Sequence, residues 1–177
     1  MTSTGSIGSN RFRVCIDFVL RHETEYRADG VSVRVEHDPN DPGGTTKYGI
    51  DQRSHPGVDV ENLTLAEAEQ IYLNGEWTEC RCAELPPPWD LAVFDAAVNV
   101  GSHRAIVWLQ QAVGVIADGF IGPKTLAAVQ GATVGSFADF IDLRKDYYKN
   151  KVRSSLRLRY LKGWLARVAD LEKAVAT

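Results

Sequence analysis

The sequence predicts a mainly helical α+β fold: a bundle around one central apolar helix, with one small β-hairpin or sheet near its start carrying a rigid loop. Three observations lead there. Apolar residues recur at helical spacing through most of the chain, beginning with Phe12, Cys15, Ile16 and Val19. Strand-like alternation is confined to Val31, Val33 and Val35, just after the turn dipeptide Asp29-Gly30. Leu91 to Val98 is almost entirely apolar, as expected of a helix buried on all sides.

In chain order, residues 1–10 are rich in Ser, Gly and Thr and are expected to form a disordered tail. The first helix then delivers Glu23 to its C-terminal end, where the negative pole of the helix dipole disfavours a second negative charge. A carboxyl placed there suits proton donation, with a solvated helix-end Glu as the plain alternative. A hairpin over Tyr26–Glu36 follows. Residues 38–44 hold two prolines and two glycines and make a rigid loop, and Thr45–Ile50 reads as a short strand closing the sheet. Thr64 and Glu67 form a capping box for a helix whose buried stripe is Leu65, Ala68, Ile71 and Tyr72 and which fades near Trp77. Prolines 86–88 block any helix before Trp89. Helix 89–100 ends at Gly101, and Ser102 is expected to cap the next, to about Val113. After the Asp118–Gly122 loop, Pro123 sits at a helix start, where its missing N–H costs nothing. Ser136 with Asp139 is expected to open a helix through Tyr148, and Leu156–Val175 forms the last. The expected division is 11–86 and 87–177, packed as one globular unit.

With 177 residues, 44% hydrophobic and 24% charged, the chain has an ordinary globular composition. Its net charge of −3 gives no overall footprint for nucleic acid. Charge is uneven, however: from Arg144 to Arg167 nine Lys or Arg residues accompany one acid, Asp146. That run is interleaved with Tyr147, Tyr148, Tyr160 and Trp164; it is either a solvated helix face or a surface drawn to an anionic envelope. Cys80 and Cys82, one residue apart, match neither a redox CxxC nor a zinc knuckle, so reduced thiols and no metal or cofactor are expected. The first residues show neither a basic nor an apolar signal region, and no window approaches the roughly 18 apolar residues of a membrane span. A monomer folded in a cytoplasm is expected.

Several stretches together resemble glycoside hydrolase family 108, lysozyme-like muramidases of phages and bacteria with a C-terminal peptidoglycan-binding half. Glu23-Thr24-Glu25-Tyr26 stands where the family has Glu-Gly-Gly-Tyr, followed by Asp41-Pro42-Gly43-Gly44 and Thr46-x-Tyr48-Gly49-Ile50. The Thr64–Trp77 helix carries Ala68-Glu69-x-x-Tyr72. Further on come Phe94-Asp95-Ala96-Ala97-Val98-Asn99, Trp108-Leu109-Gln110-Gln111, Asp118-Gly119-x-Ile121-Gly122-Pro123, Arg144-x-x-Tyr147-Tyr148 and Gly163-Trp164-x-x-Arg167. Thr24 and Glu25 replace the two motif glycines, and the Tyr26–Asp38 link is longer than usual.

The resemblance implies a lysozyme-like fold and hydrolysis of the β-1,4 bond between N-acetylmuramic acid and N-acetylglucosamine, with Glu23 as general acid. For the second role Glu25, Asp29, Glu36, Asp38 and Asp41 are all near in sequence. Asp41 is preferred because its loop is rigid, and a turn-forming Asp is the even alternative. Thr46 would position water. Tyr48, Asn99 and Trp77 would contact sugar, against the plain readings of strand aromatic, helix cap and core anchor. His22 either tunes Glu23 or is structural. An endolysin is the implied setting, held in the host cytoplasm until a holin opens the membrane. Two rivals remain: a lytic transglycosylase using Glu23 alone, and a non-catalytic peptidoglycan-binding or secretion-assisting protein.

Overall fold

A computed structural model describes the backbone of residues 5–23, 25–27, 30–32, 36–37, 45–151 and 155–176, and the side chains of 10–23, 45–151 and 160–176. The chain forms two compact units, Met1–Gly75 and Glu76–Thr177. The division falls earlier than the 86/87 boundary expected from sequence.

In the first unit, helix α1 spans Gly5–Glu23, so it begins inside the segment expected to be a tail. Its core stripe is the one the spacing predicts: Cys15, Ile16 and Val19 are completely buried, with Phe12 and Leu20 beside them. Each such side chain contributes at most about 1.5–3 kcal/mol of apolar burial. After α1 the backbone forms a hairpin, β1 (Glu25–Arg27) against β2 (Gly30–Ser32), antiparallel with Tyr26 opposite Val31. A second sheet holds β3 (Glu36–His37), β4 (Thr45–Lys47) and β5 (Ile50–Asp51), in the order β3-β4-β5.

The structure therefore has two small sheets among the described residues, not one, and Thr45–Ile50 is not a continuous strand. Lys47 pairs with Ile50 across a two-residue turn, Tyr48-Gly49. Helix α2 (Leu65–Tyr72) is opened by the expected capping box. The Thr64 hydroxyl accepts from the Glu67 N–H, and the Glu67 carboxylate accepts from the Thr64 N–H at 2.8 Å. A π-type turn, Leu73–Trp77, breaks at Gly75 (φ −87°, ψ −113°), where the first unit ends.

The second unit starts with a short 3-10 turn, Cys82–Glu84, and then α3 (Trp89–Val100), with the bounds the sequence predicts. Every residue of α3 from Trp89 to Ala97 is buried, so it is the central helix of this unit. Gly101, at φ +92°, ends it in a conformation other residues resist. Helix α4 (Ser102–Ala112) has Gly101 at its cap position. Ser102 does not cap it; its hydroxyl donates to Glu79 Oε2 instead. Gln110, buried on α4, ties down the following loop. Its Nε2 donates to Asp118 Oδ1 and the Phe120 carbonyl, and its Oε1 accepts from the Gly119 N–H at 2.8 Å.

Helix α5 (Pro123–Gln130) has Pro123 at its first turn as expected. Helix α6 (Val134–Lys151) begins two residues before Ser136. Thr133 is the capping hydroxyl, accepting from the Ser136 N–H while Ser136 Oγ accepts from the Thr133 N–H. Helix α7 runs Ser155–Val175. All three cysteines are buried free thiols, and no described helix is long and apolar enough to cross a membrane.

Candidate active site

Glu23 occupies the last position of α1 and is half-buried. What stands against it is the Tyr48-Gly49 turn. Both turn residues have positive φ, +54° for Tyr48 and +80° for Gly49, the signature of a type I′ hairpin turn. Glycine is the usual second residue there, but a bulky residue at the first costs about 1–2 kcal/mol. Strain of that kind persists only where surrounding contacts enforce it. Here the enforcing contact is Tyr72, whose hydroxyl donates to the Tyr48 carbonyl at 2.8 Å.

Gly49 is also required by space. A Cβ on it would stand 2.6 Å from Tyr72 Oη and 3.0 Å from both Cβ and Cγ of Glu23. The bare backbone of residue 49 is therefore a wall against which the Glu23 stem rests. Tyr48 itself is 8% exposed, and burial pushes its phenol above the ordinary tyrosine range.

Around this turn, Thr46 lies half-buried in β4, opposite Glu36 on one side and Asp51 on the other. Asp51 spends Oδ1 on the N–H groups of Arg53 and Ser54, capping its own turn. Burial opposes ionisation of Asp51, yet these hydrogen bonds prevail and lower its pKa. The His22 Nδ1 bonds the Phe18 carbonyl, and its ring packs on Phe18 at 4.6 Å. Asp41 and the other proposed partners Glu25, Asp29, Glu36 and Asp38 have side chains outside the described residues. A cleft of about 690 Å³ in this unit lies between the 57–63 loop and α2 and is lined by none of Glu23, Thr46 or Tyr48.

The two remaining sugar-contact expectations fall in the second unit. Trp77 is 4% exposed and meets Phe94 edge-on at 5.3 Å. Asn99, half-buried near the end of α3, accepts a hydrogen bond at Oδ1 from the Tyr148 hydroxyl.

That hydroxyl belongs to a buried network the sequence did not reveal. Arg144 donates through Nε to Tyr148 Oη at 2.9 Å and through Nη1 to Asp95 Oδ2 at 2.6 Å. Arg167 reaches the other Asp95 oxygen from α7 at 2.7 Å. Burial alone would raise the Asp95 pKa, but the two guanidiniums outweigh it and hold the carboxyl below its usual range. Burial also raises the Tyr148 phenol, against the opposing pull of Arg144.

A mainly helical chain with small antiparallel sheets fits the lysozyme-like class. The comparisons agree. Residues 16–101 match the family described as Glycosyl hydrolase 108, and residues 104–169 match one described as "Predicted Peptidoglycan domain". The structure is similar to that of SagA from Brucella abortus, with 28% identity, a TM-score of 0.76 and 95% of each chain covered. A search of the curated proteins returned no match. Residues 16–101 thus carry a glycosyl hydrolase 108 match ahead of a peptidoglycan-domain match, and the pair supports a glycoside hydrolase acting on peptidoglycan.

Gly49 and Tyr72 stand in the sequence as a motif residue and a core residue, and only the fold brings them to Glu23 and the Tyr48 carbonyl. The signal was present in the Tyr48-Gly49 dipeptide, which fits a turn better than a strand.

Proposed function

We propose that this enzyme is a muramidase cutting the β-1,4 bond between N-acetylmuramic acid and N-acetylglucosamine, with Glu23 as general acid. The observation that carries the reading is the packing of the Glu23 stem on the bare backbone of Gly49, in a strained turn clamped by Tyr72. A proton donor must be held within hydrogen-bond reach of the leaving oxygen, and that requires a fixed stem. In the reaction the Glu23 carboxyl proton passes to the leaving O4 as the bond to muramyl C1 breaks. A carboxylate, for which Asp41 is proposed, stabilises the charge growing on C1. Water positioned by Thr46 then adds to C1, and its proton returns to a carboxylate of the site. Tyr48 and Asn99 are the proposed sugar contacts.

The same reading includes the setting: an endolysin that acts on the wall after release through a membrane lesion. Turbidity loss of purified walls tests the chemistry. Wild type clears them and Glu23→Gln does not; equal clearing by both removes Glu23 from the mechanism. Mass spectrometry of the products separates the outcomes further. Reducing muramic ends support hydrolysis, whereas 1,6-anhydromuramic ends replace it with lytic transglycosylation.

A further inference from the structure

The three most exposed large apolar side chains among the described residues are Val134 at 89%, Ile116 at 81% and Phe120 at 75%; the next falls below half. All three lie between Gly101 and Ala138. That span holds three charged side chains, Arg104, Asp118 and Lys124, in a chain that is 24% charged. Single apolar side chains on a surface are ordinary, but three of them in one charge-poor stretch mark an interaction surface.

The loop that carries Ile116 and Phe120 is fixed from several sides. Gln110 binds it from α4 through Asp118, Gly119 and Phe120. Arg81 Nη1 donates to the Ile121 carbonyl at 2.6 Å, and Asp118 Oδ1 accepts from the Phe120 N–H at 3.0 Å. The His103 ring rests on the bare backbone of Gly119, at φ +80°, where no Cβ would fit. A loop held this firmly loses little conformational freedom on binding. Val134 opens α6 and lines an apolar cleft of about 600 Å³ that has no charged side chain in its wall. Between the two sites, α5 turns Pro123, Lys124, Ala127 and Gln130 to solvent. Asp118 is engaged by Gln110 and the Phe120 N–H, and Arg104 lies 4.4 Å over the Tyr147 ring. Lys124 meets no carboxylate among the described residues.

We infer that this end of the second unit docks on an anionic lipid bilayer, with Ile116, Phe120 and Val134 entering the apolar layer and Lys124 meeting headgroup phosphates. Phe120 precedes α5 and Val134 follows it, and eight helical residues span about 12 Å. The apolar groups therefore stand apart along a strip and do not form the contiguous packed core that a protein partner needs. A fluid apolar layer accepts separated side chains without shape complementarity, and the uncharged cleft beside Val134 has room for part of an acyl chain. The charge left on the strip is a cation, which favours an anionic surface. The contact is peripheral, since no described helix is long and apolar enough to cross a membrane.

The test floats the full chain with vesicles of phosphatidylglycerol and, separately, of phosphatidylcholine. Binding to phosphatidylglycerol is expected, weakened about tenfold by Phe120→Ser and about threefold by Ile116→Ser or Val134→Ser. Lys124→Ala weakens it about fivefold on phosphatidylglycerol and leaves phosphatidylcholine unaffected. Lys173→Ala, which removes a cation outside the span, binds as wild type does. All these side chains are exposed, so melting temperatures stay unchanged. Phe120→Trp adds an emission that shifts to shorter wavelength on binding and is quenched by lipids brominated in their acyl chains. Absence of vesicle binding, or equal binding by wild type, Phe120→Ser and Ile116→Ser, overturns the inference. Dimerisation lost in the same variants, without vesicle binding, replaces the bilayer with a second copy of the chain. Loss seen on purified sacculi and not on vesicles replaces it with the wall polymer. Vesicles contain no glycan, so none of these outcomes depends on the role of Glu23.

Discussion

Replacing Gly49 with alanine puts the proposed acid under direct strain. The new Cβ must occupy φ +80°, which costs an L-residue about 1–2 kcal/mol. It must also find room 2.6 Å from Tyr72 Oη and 3.0 Å from the Glu23 stem. Turning Tyr72 away relieves the closer contact but gives up its hydrogen bond to the Tyr48 carbonyl, a net loss of about 1 kcal/mol. The expected destabilisation is thus about 2–3 kcal/mol, read from urea unfolding. Activity falls further than stability does, because moving Glu23 by about 1 Å costs on the order of 100-fold. Wall clearing is therefore measured at a temperature where the variant is folded. In a Tyr72→Phe background the hydroxyl is gone, so Gly49→Ala costs about 1 kcal/mol less, a coupling a double-mutant cycle resolves. Gly49→Ala unfolding within about 0.5 kcal/mol of wild type and clearing walls at the same rate would refute the claim that this turn positions Glu23.

Two further outcomes follow from the buried Asp95 cluster. Asp95→Asn keeps the shape but removes the carboxylate that both buried guanidiniums share, and should cost about 3–5 kcal/mol in denaturant unfolding of the second unit, followed by tryptophan fluorescence. A cost under about 1 kcal/mol would mean that the cluster is hydrated. Acid stability carries the matching sign: the folded pKa of Asp95 lies below its unfolded value of about 3.9, so its contribution is full above that pH and is lost as pH falls through the lower folded value. The stability difference between wild type and Asp95→Asn is then flat from pH 7 to about 5 and shrinks below about 4, measured by urea melts across pH.

What the sequence made legible was local. The capping box at Thr64 and Glu67 lies within one turn, and helix 89–100 is bounded by prolines on one side and a positive-φ glycine on the other. The cap of α6 was misplaced because Thr133 and Ser136 bond each other reciprocally, so either hydroxyl is a credible start. Ser102 was misassigned because its hydroxyl has a partner, Glu79, that lies 23 positions away. Asp95 meets Arg144 and Arg167 across 49 and 72 positions, and no spacing rule spans such distances.

The reading of Thr45–Ile50 as a strand failed differently. Tyrosine is a strand-former, and type I′ turns ordinarily favour Asn, Asp or Gly at the position Tyr48 holds. Local preference therefore pointed the wrong way, and a tertiary contact, the Tyr72 hydroxyl on the Tyr48 carbonyl, reversed it. Such reversals are expected where a protein gives up local stability for a site. This one lies against the stem of Glu23, so the position at which sequence rules break down is also the position of the proposed proton donor. The strain at Tyr48 and the bare backbone of Gly49 then have one common explanation: together they set the floor on which that carboxyl rests.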